Sequence, residues 1–336
     1  MKLIATTLFL FFGYCGYAQF TAQYFPIGEE PNIRWMSSYT PQESILFEAN
    51  PTVRFSFFNN IADTLRKKEH HSETWYVAVR PKLRMYTDNS LPVKTPSYRV
   101  FFGTQHMFML PGSQPDTGKL EFISFSMESG HYSNGQSGCA FSKDIQDETL
   151  ACDSVYSLIT PQSDLSDILN RETGNFSTNM TEVILDYRKY KIGTDNVPIS
   201  MNAYKFGYTL FHDRFLFLGN FGGHSSQDIA IYGRHRLLAG YERMDIWKWK
   251  KETDFRISFK QTMEFIADPH EHVNPFRFES MITVYPIPAS PAVGFLISYI
   301  YGHDNYNYRF VDSGHQVSFG VSWDQFPPFP LMRKNR

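Results

Sequence analysis

Apolar and polar residues take turns along LEFISFSMESGHYSNGQS, residues 120–137. Ile123, Phe125 and Met127 fall on one side, and Ser124, Ser126 and Glu128 on the other. That is the period of two which side chains follow in an extended strand. The pattern recurs with cations on the polar side. Trp75, Val77, Val79, Leu83 and Met85 share their segment with Arg80, Lys82 and Arg84. Arg54 and Ser56 interleave with Val53, Phe55 and Phe57, and Arg256, Ser258 and Lys260 with Phe255, Ile257 and Phe259. Phe276 and Phe278 flank Arg277. Twelve strands are predicted, near 31–40, 51–60, 73–86, 97–110, 119–135, 178–191, 202–218, 227–243, 253–267, 275–287, 292–305 and 313–325. No repeat, low-complexity tract or Pro/Gly/Ser linker divides them.

A soluble sandwich alternates in the same way, so the pattern needs a second observation. Met1-Lys2, the apolar run Leu3–Gly13 and the small-residue site Gly16-Tyr17-Ala18 read as a secretory signal peptide over residues 1–18. The run is too short for a membrane-spanning helix, which needs roughly 20 apolar residues. An exported chain with 31 Phe and 20 Tyr, and with arginine on the polar face of many strands, fits a transmembrane barrel, whose outer face must be apolar and whose interior is polar. The expected architecture is therefore an all-β, twelve-stranded antiparallel transmembrane β-barrel over residues 19–326. Pro327–Arg336, too proline-rich for sheet, becomes a periplasmic tail. The expected location is the Gram-negative outer membrane.

With the N-terminus in the periplasm, the fifth strand runs outward. Pro111–Gly118 becomes a short periplasmic turn and 138–177 a long extracellular loop. That loop holds Cys139 and Cys152, the cysteines left after export. An oxidising compartment favours a disulfide between them, worth ~3 kcal/mol by loop-closure entropy. The net charge of −2 offers nothing to nucleic acid.

The odd-numbered face of the fifth strand continues into Ser129, His131 and Ser133. It carries a base and a hydroxyl nucleophile onto the apolar side, two residues apart. Activating serine needs a base, and the base needs a third group to hold its tautomer. On the next strand Asn179, Thr181, Val183, Leu185 and Tyr187 share a face, and Asn179 is its polar outer end. The same residues also suit a plain surface turn, because Asn134-Gly135 is a common tight-turn pair.

His131-Tyr132-Ser133-Asn134-Gly135-Gln136-Ser137 resembles the H-x-S-N-G-x-S motif of the outer membrane phospholipase A family. The resemblance implies a twelve-stranded barrel with a Ser–His–Asn triad on its lipid-facing surface. Ser133 would be the nucleophile, His131 the general base and Asn179 the orienting amide, with Asn170 and Asn175 as alternatives to Asn179. It further implies glycerophospholipid substrates, a homodimer along the barrel flank, and Ca²⁺ near the oxyanion site. Gln136 and Ser137 are the candidate calcium ligands, with Asp144 and loop carbonyls as further oxygen donors. The family usually has arginine where Gln136 stands. Two other readings stay open: a non-enzymatic outer-membrane barrel, either channel or structural partner, that keeps the motif as a vestige, and a secreted β-sandwich. His224-Ser225, His270-Glu271-His272 and His70-His71 read as loop or solvated turn residues.

Overall fold

The computed structural model describes residues 27, 30–39, 43–87, 93, 95–113, 117–193, 198–212, 222, 225–249, 253–286 and 293–323. The signal peptide 1–18 and the tail 327–336 lie outside the described residues. The strands are β1 (Asn32–Met36), β2 (Ile45–Asn50), β3 (Val53–Asn59), β4 (His71–Val79), β5 (Leu83–Tyr86), β6 (Tyr98–Met109) and β7 (Lys119–Ser133). They continue as β8 (Ser177–Ile192), β9 (Pro198–His212), β10 (His235–Trp249), β11 (Thr253–Ala267), β12 (Phe276–Tyr285), β13 (Val293–His303) and β14 (Ser313–Trp323). Helices α1 (Ile61–Lys67), α2 (Leu150–Ser157), α3 (Leu165–Ile168) and α4 (Ser226–Tyr232), with a short 3-10 helix (Asn307–Val311), lie between them.

All fourteen strands belong to one antiparallel sheet, ordered β3-β4-β6-β7-β8-β9-β10-β11-β12-β13-β14-β1-β2-β5. The last strand pairs with the first, so the sheet curls round on itself. Two features differ from the expected closed, twelve-stranded barrel. Among the described residues the count is fourteen, because β2 occupies residues 45–50, where no strand is expected, and Arg80-Pro81-Lys82 divides the expected strand 73–86 into β4 and β5. Proline has no N–H to give a ladder. The sheet is also not closed, since its ends are β3 and β5. Single bonds reach across from the β4–β5 junction: Arg80 N to Arg99 O at 2.8 Å, Lys82 N to Ser97 O at 2.7 Å and Ser97 N to Lys82 O at 2.9 Å.

The expected strand 227–243 is displaced as well. Ser225 caps α4, its hydroxyl accepting from the Asp228 amide while Asp228 reaches back to the cap. This reciprocal pair commits the segment to helix, and β10 begins only at His235. The expected strand 202–218 runs instead over Pro198–His212, and residues 213–218 lie outside the described residues.

The surface is inverted relative to a water-soluble protein. Phe319 is 60 % exposed and Trp247 58 %, whereas Arg84 is 1 % and Gln316 0 % exposed. Large apolar side chains outside and arginines inside suit a wall with hydrocarbon around it and polar groups within. Strands of fifteen residues, such as β9, β10 and β11, exceed the roughly 9–11 that a tilted membrane strand needs. No helix of the described residues is long and apolar enough to cross a membrane.

The interior is filled from both ends. The β13–β14 connection folds inward, and Tyr306, Tyr308, Arg309 and Phe310 are all buried. Tyr308 and Phe310 join Tyr132, Phe176, Phe211 and Tyr232 in an apolar cluster. At the other end Ile61 of α1 packs with Met107, Leu120, Phe122 and Tyr190. Between them lies an ionic layer that includes Arg84, which binds Glu48 and Asp304.

The two faces of β11 should tolerate opposite substitutions. Arg256 is buried against the Tyr285 ring, 3.6 Å from its centroid, so Arg256→Leu is expected to assemble. Ile257→Arg is expected to hinder assembly, since arginine on the lipid face costs roughly 2–4 kcal/mol at mid-membrane. Heat-dependent gel migration reads both, and equal assembly would contradict the assignment of faces.

Candidate active site

His131 lies near the end of β7, paired across to Val100 of β6 and Asn179 of β8. This register brings the imidazole and the amide side by side, with His131 Nδ1 and Asn179 Oδ1 3.0 Å apart. An amide oxygen only accepts, so Nδ1 carries the proton and donates it. Nε2 is thereby left with its lone pair, the form a general base needs. Asn179 is fully buried, while His131 is half-buried. Ser133 sits two residues on, on the same face, opposite Tyr98 and Ser177. It is half-buried, and among the described residues no hydrogen bond joins its hydroxyl to the imidazole.

The neighbouring row is polar too. Ser129 Oγ lies 2.9 Å from Thr181 Oγ1, which lies 3.1 Å from His212 Nε2. His212 is the β9 partner of Asn179. These groups interrupt an outer surface otherwise made of residues such as Tyr98, Val100 and Phe102, all exposed.

Gly222, from the β9–β10 connection, lies over the site. Its carbonyl accepts the Ser177 hydroxyl at 2.6 Å. A Cβ on Gly222 would come 2.9 Å from His131 Cε1 and 2.7 Å from Ser177 Oγ, and its φ is +53°. Both the close approach and the left-handed backbone call for glycine. Gly222→Val is expected to displace the imidazole and lower any activity that depends on it, with the barrel still assembled. Unchanged activity would show that this backbone does not shape the site.

Three contacts hold the end of β7 in place. Asn134 donates from its side chain to Gly174 O at 2.7 Å and accepts from Phe176 N at 3.0 Å, tying the turn to β8. Gly135 has φ +65°, which glycine adopts freely. Tyr132 points the other way, into the lumen, where its hydroxyl accepts from Asn307 N at 2.7 Å.

The loop beyond is braced by a Cys139–Cys152 disulfide, with Cα atoms 5.7 Å apart. Asn170 and Asn175 lie within this loop and do not meet His131. Asn170 Nδ2 donates to Cys139 O at 3.1 Å, and Asn175 Nδ2 to Asp147 Oδ2 at 2.6 Å. Tyr156 of α2 donates to Asp228 of α4 at 3.0 Å. Burial and the Asp228 carboxylate push this phenol well above its ordinary pKa, so it stays the donor. His270 and His272, read from sequence as solvated, instead meet the same loop, at Thr160 O (2.9 Å) and Asp164 (3.5 Å). His224 lies outside the described residues. Both sulfurs belong to buried residues, so alkylation is expected only after denaturation with reductant. Labelling after denaturation alone would contradict the bridge.

Calcium finds little here. Gln136 is half-buried, and Ser137 and Asp144 are exposed. Gln136 and Ser137 are neutral donors, and Asp147, whose amide bonds Ser137 O at 2.9 Å, already engages Asn175 through its carboxylate. A calcium ion takes six to eight oxygens, carboxylates among them. The residues present do not fit such an ion.

No protein-family model and no curated protein matches the chain. Among solved structures it is similar to outer membrane phospholipase A from Escherichia coli, at 11 % identity over 92 % of this chain and 98 % of that one, with a TM-score of 0.48. The calcium-bound dimer of the Salmonella typhi outer membrane phospholipase is 10 % identical over 93 % and 99 % of the two chains, TM-score 0.48. An outer membrane channel from Pseudomonas putida F1 is 8 % identical over 89 % and 96 %, TM-score 0.39. Likeness of this degree joins a phospholipase and a channel alike.

Proposed function

We propose that the protein is an outer-membrane phospholipase A, hydrolysing acyl esters of glycerophospholipids at the lipid-facing side of its barrel. The observation that carries this reading is the 3.0 Å hydrogen bond from His131 to Asn179, with Ser133 two residues away on the same outward face. Ser133 Oγ attacks the ester carbonyl carbon and its proton passes to His131 Nε2. The imidazolium then returns the proton to the leaving alcohol, and water hydrolyses the acyl-enzyme by the same relay. Asn179 orients the ring without supplying charge. Bonds of this kind are often long in the free enzyme and tighten once substrate is bound.

The developing oxyanion needs donors. Within residues 134–136, the Asn134 amide bonds Phe176 O and the Gln136 amide bonds Asn134 Oδ1. Gly135 N–H donates to no other group among the described residues and is assigned as one donor. The β13–β14 connection and α1 pack into the two ends of the lumen around a polar cavity lined by Arg34, Lys82, Lys205, Lys260 and Glu279, and a non-enzymatic barrel, channel or structural partner, with a vestigial motif is the alternative.

Fatty-acid release from phospholipid in detergent micelles, measured with and without chelator, tests the proposal and the part of calcium together. A second copy is supplied by raising the protein concentration. Absence of hydrolysis under every condition would hand the reading to the non-enzymatic barrel. In that event Gln136→Arg is the first variant to try for restoring activity.

A further inference from the structure

The outer face near the other end of the wall carries a second polar island. His71 opens β4, Glu73 follows on the same face, and His106 of β6 lies directly opposite Glu73. His71 Nε2 and His106 Nδ1 are 3.2 Å apart, and the Glu73 carboxylate is 3.9 Å from His106 Nδ1. One ligand atom from each residue falls within 4.8 Å of the others. Among the described residues no other group of three or more His, Cys, Asp or Glu side chains comes so close.

We infer that His71, Glu73 and His106 form a transition-metal site suited to Zn²⁺. Two imidazole nitrogens bound at zinc's usual ~2.0–2.1 Å in tetrahedral geometry sit ~3.3 Å apart, close to the separation already present, and the two rings, now nearly coplanar with centroids 5.4 Å apart, have only to tilt to aim both nitrogens at one ion. The second nitrogen of His106 is occupied, since Nε2 lies 3.2 Å from Thr104 Oγ1. That contact turns Nδ1 toward the cluster, the outer-shell support that metal-binding histidines usually have. Phe108 packs on the His71 ring at 4.8 Å and limits its rotation. Two imidazoles and a carboxylate select zinc or a neighbouring metal over calcium and magnesium, which take oxygen ligands. Binding shifts the proton between the two nitrogens from His71 Nε2 to His71 Nδ1, which frees both facing nitrogens as ligands, and a fourth position stays open for water.

The location gives the ion a physical role. The surrounding face carries Trp75, Phe102 and Phe108, all exposed, and a carboxylate beside them is costly unless paired. Val100, the partner of His131, lies roughly 20 Å away along β6, so this site stands apart from the proposed triad.

The test is zinc uptake by the tag-free, metal-stripped, folded barrel in detergent, followed by competition with a chromogenic chelator. One Zn²⁺ per barrel is expected, with a rise in the temperature at which the fast-migrating folded form is lost. His71→Phe and His106→Phe, which keep a ring on the surface, are each expected to weaken uptake at least ~100-fold, and Thr104→Val about tenfold. Glu73→Gln serves if a histidine variant fails to assemble, and should also weaken uptake. His70→Ala is expected to leave it unchanged. The inference is overturned if wild type takes up no zinc at micromolar metal, if assembled variants at 71, 73 and 106 bind as wild type does, or if His70→Ala abolishes binding.

Discussion

Ser133→Ala is expected to lower fatty-acid release by about 10³-fold or more, with the folded barrel unchanged, and His131→Ala by a similar factor. The double variant should be no worse than either single one, because a nucleophile and its base act as one unit. Loss of the hydroxyl leaves no bond-forming atom, and loss of the imidazole leaves no acceptor for its proton. Asn179→Ala should be milder, roughly tenfold, since it removes one neutral hydrogen bond of about 0.5–1.5 kcal/mol. The bond that Asn179 makes is the 3.0 Å contact to His131 Nδ1. Asn170→Ala and Asn175→Ala should act through the loop alone. If either abolishes hydrolysis while Asn179→Ala retains it, the relay runs through a different geometry.

The second large effect is expected inside the barrel. Arg84 is almost wholly buried, bonded to Glu48 at 2.8 Å and to both carboxylate oxygens of Asp304. It also lies 4.3 Å from the centroid of the Tyr306 ring. Arg84→Ala leaves Asp304 buried without its cation and should destabilise the folded barrel by about 3–5 kcal/mol. Arg84→Met with Asp304→Asn should cost less than the sum of the two changes, because neither charge is then stranded. Urea unfolding in detergent, followed by gel migration, measures Arg84→Ala, the two single changes and the double variant. Strict additivity would mean that the pair does not hold the plug, and tolerance of Arg84→Ala would mean that water reaches the lumen there.

Much of the wall was readable from composition and alternation. Arg54, Arg80, Lys82, Arg84, Arg256 and Arg277, interleaved with apolar residues, all lie buried on the inner side, while Trp75, Phe125 and Phe276 are exposed. Two further signals lie in the sequence beside the alternation. Pro81 breaks a strand that the alternation alone runs through, and Ser225 with Asp228 marks a helix start three residues apart. The disulfide followed from compartment and count, and the structure joins Cys139 to Cys152. His71 is different in kind. It read as a solvated turn residue because its partner, His106, is 35 residues away.

Side-chain alternation is a property of the extended backbone itself, so the chain alone determined which residues face in and which face out. The same local rule placed His131 and Ser133 together on the outward side. Register is another matter. That His131 meets Asn179, that Gly222 closes over the imidazole, and that Asn307 reaches Tyr132 from the far end of the chain were decided by tertiary structure only. Each contact joins segments tens to hundreds of residues apart. Its existence depends on how neighbouring strands slide into register and how a returning loop fills the lumen, and neither leaves a periodic trace in the sequence.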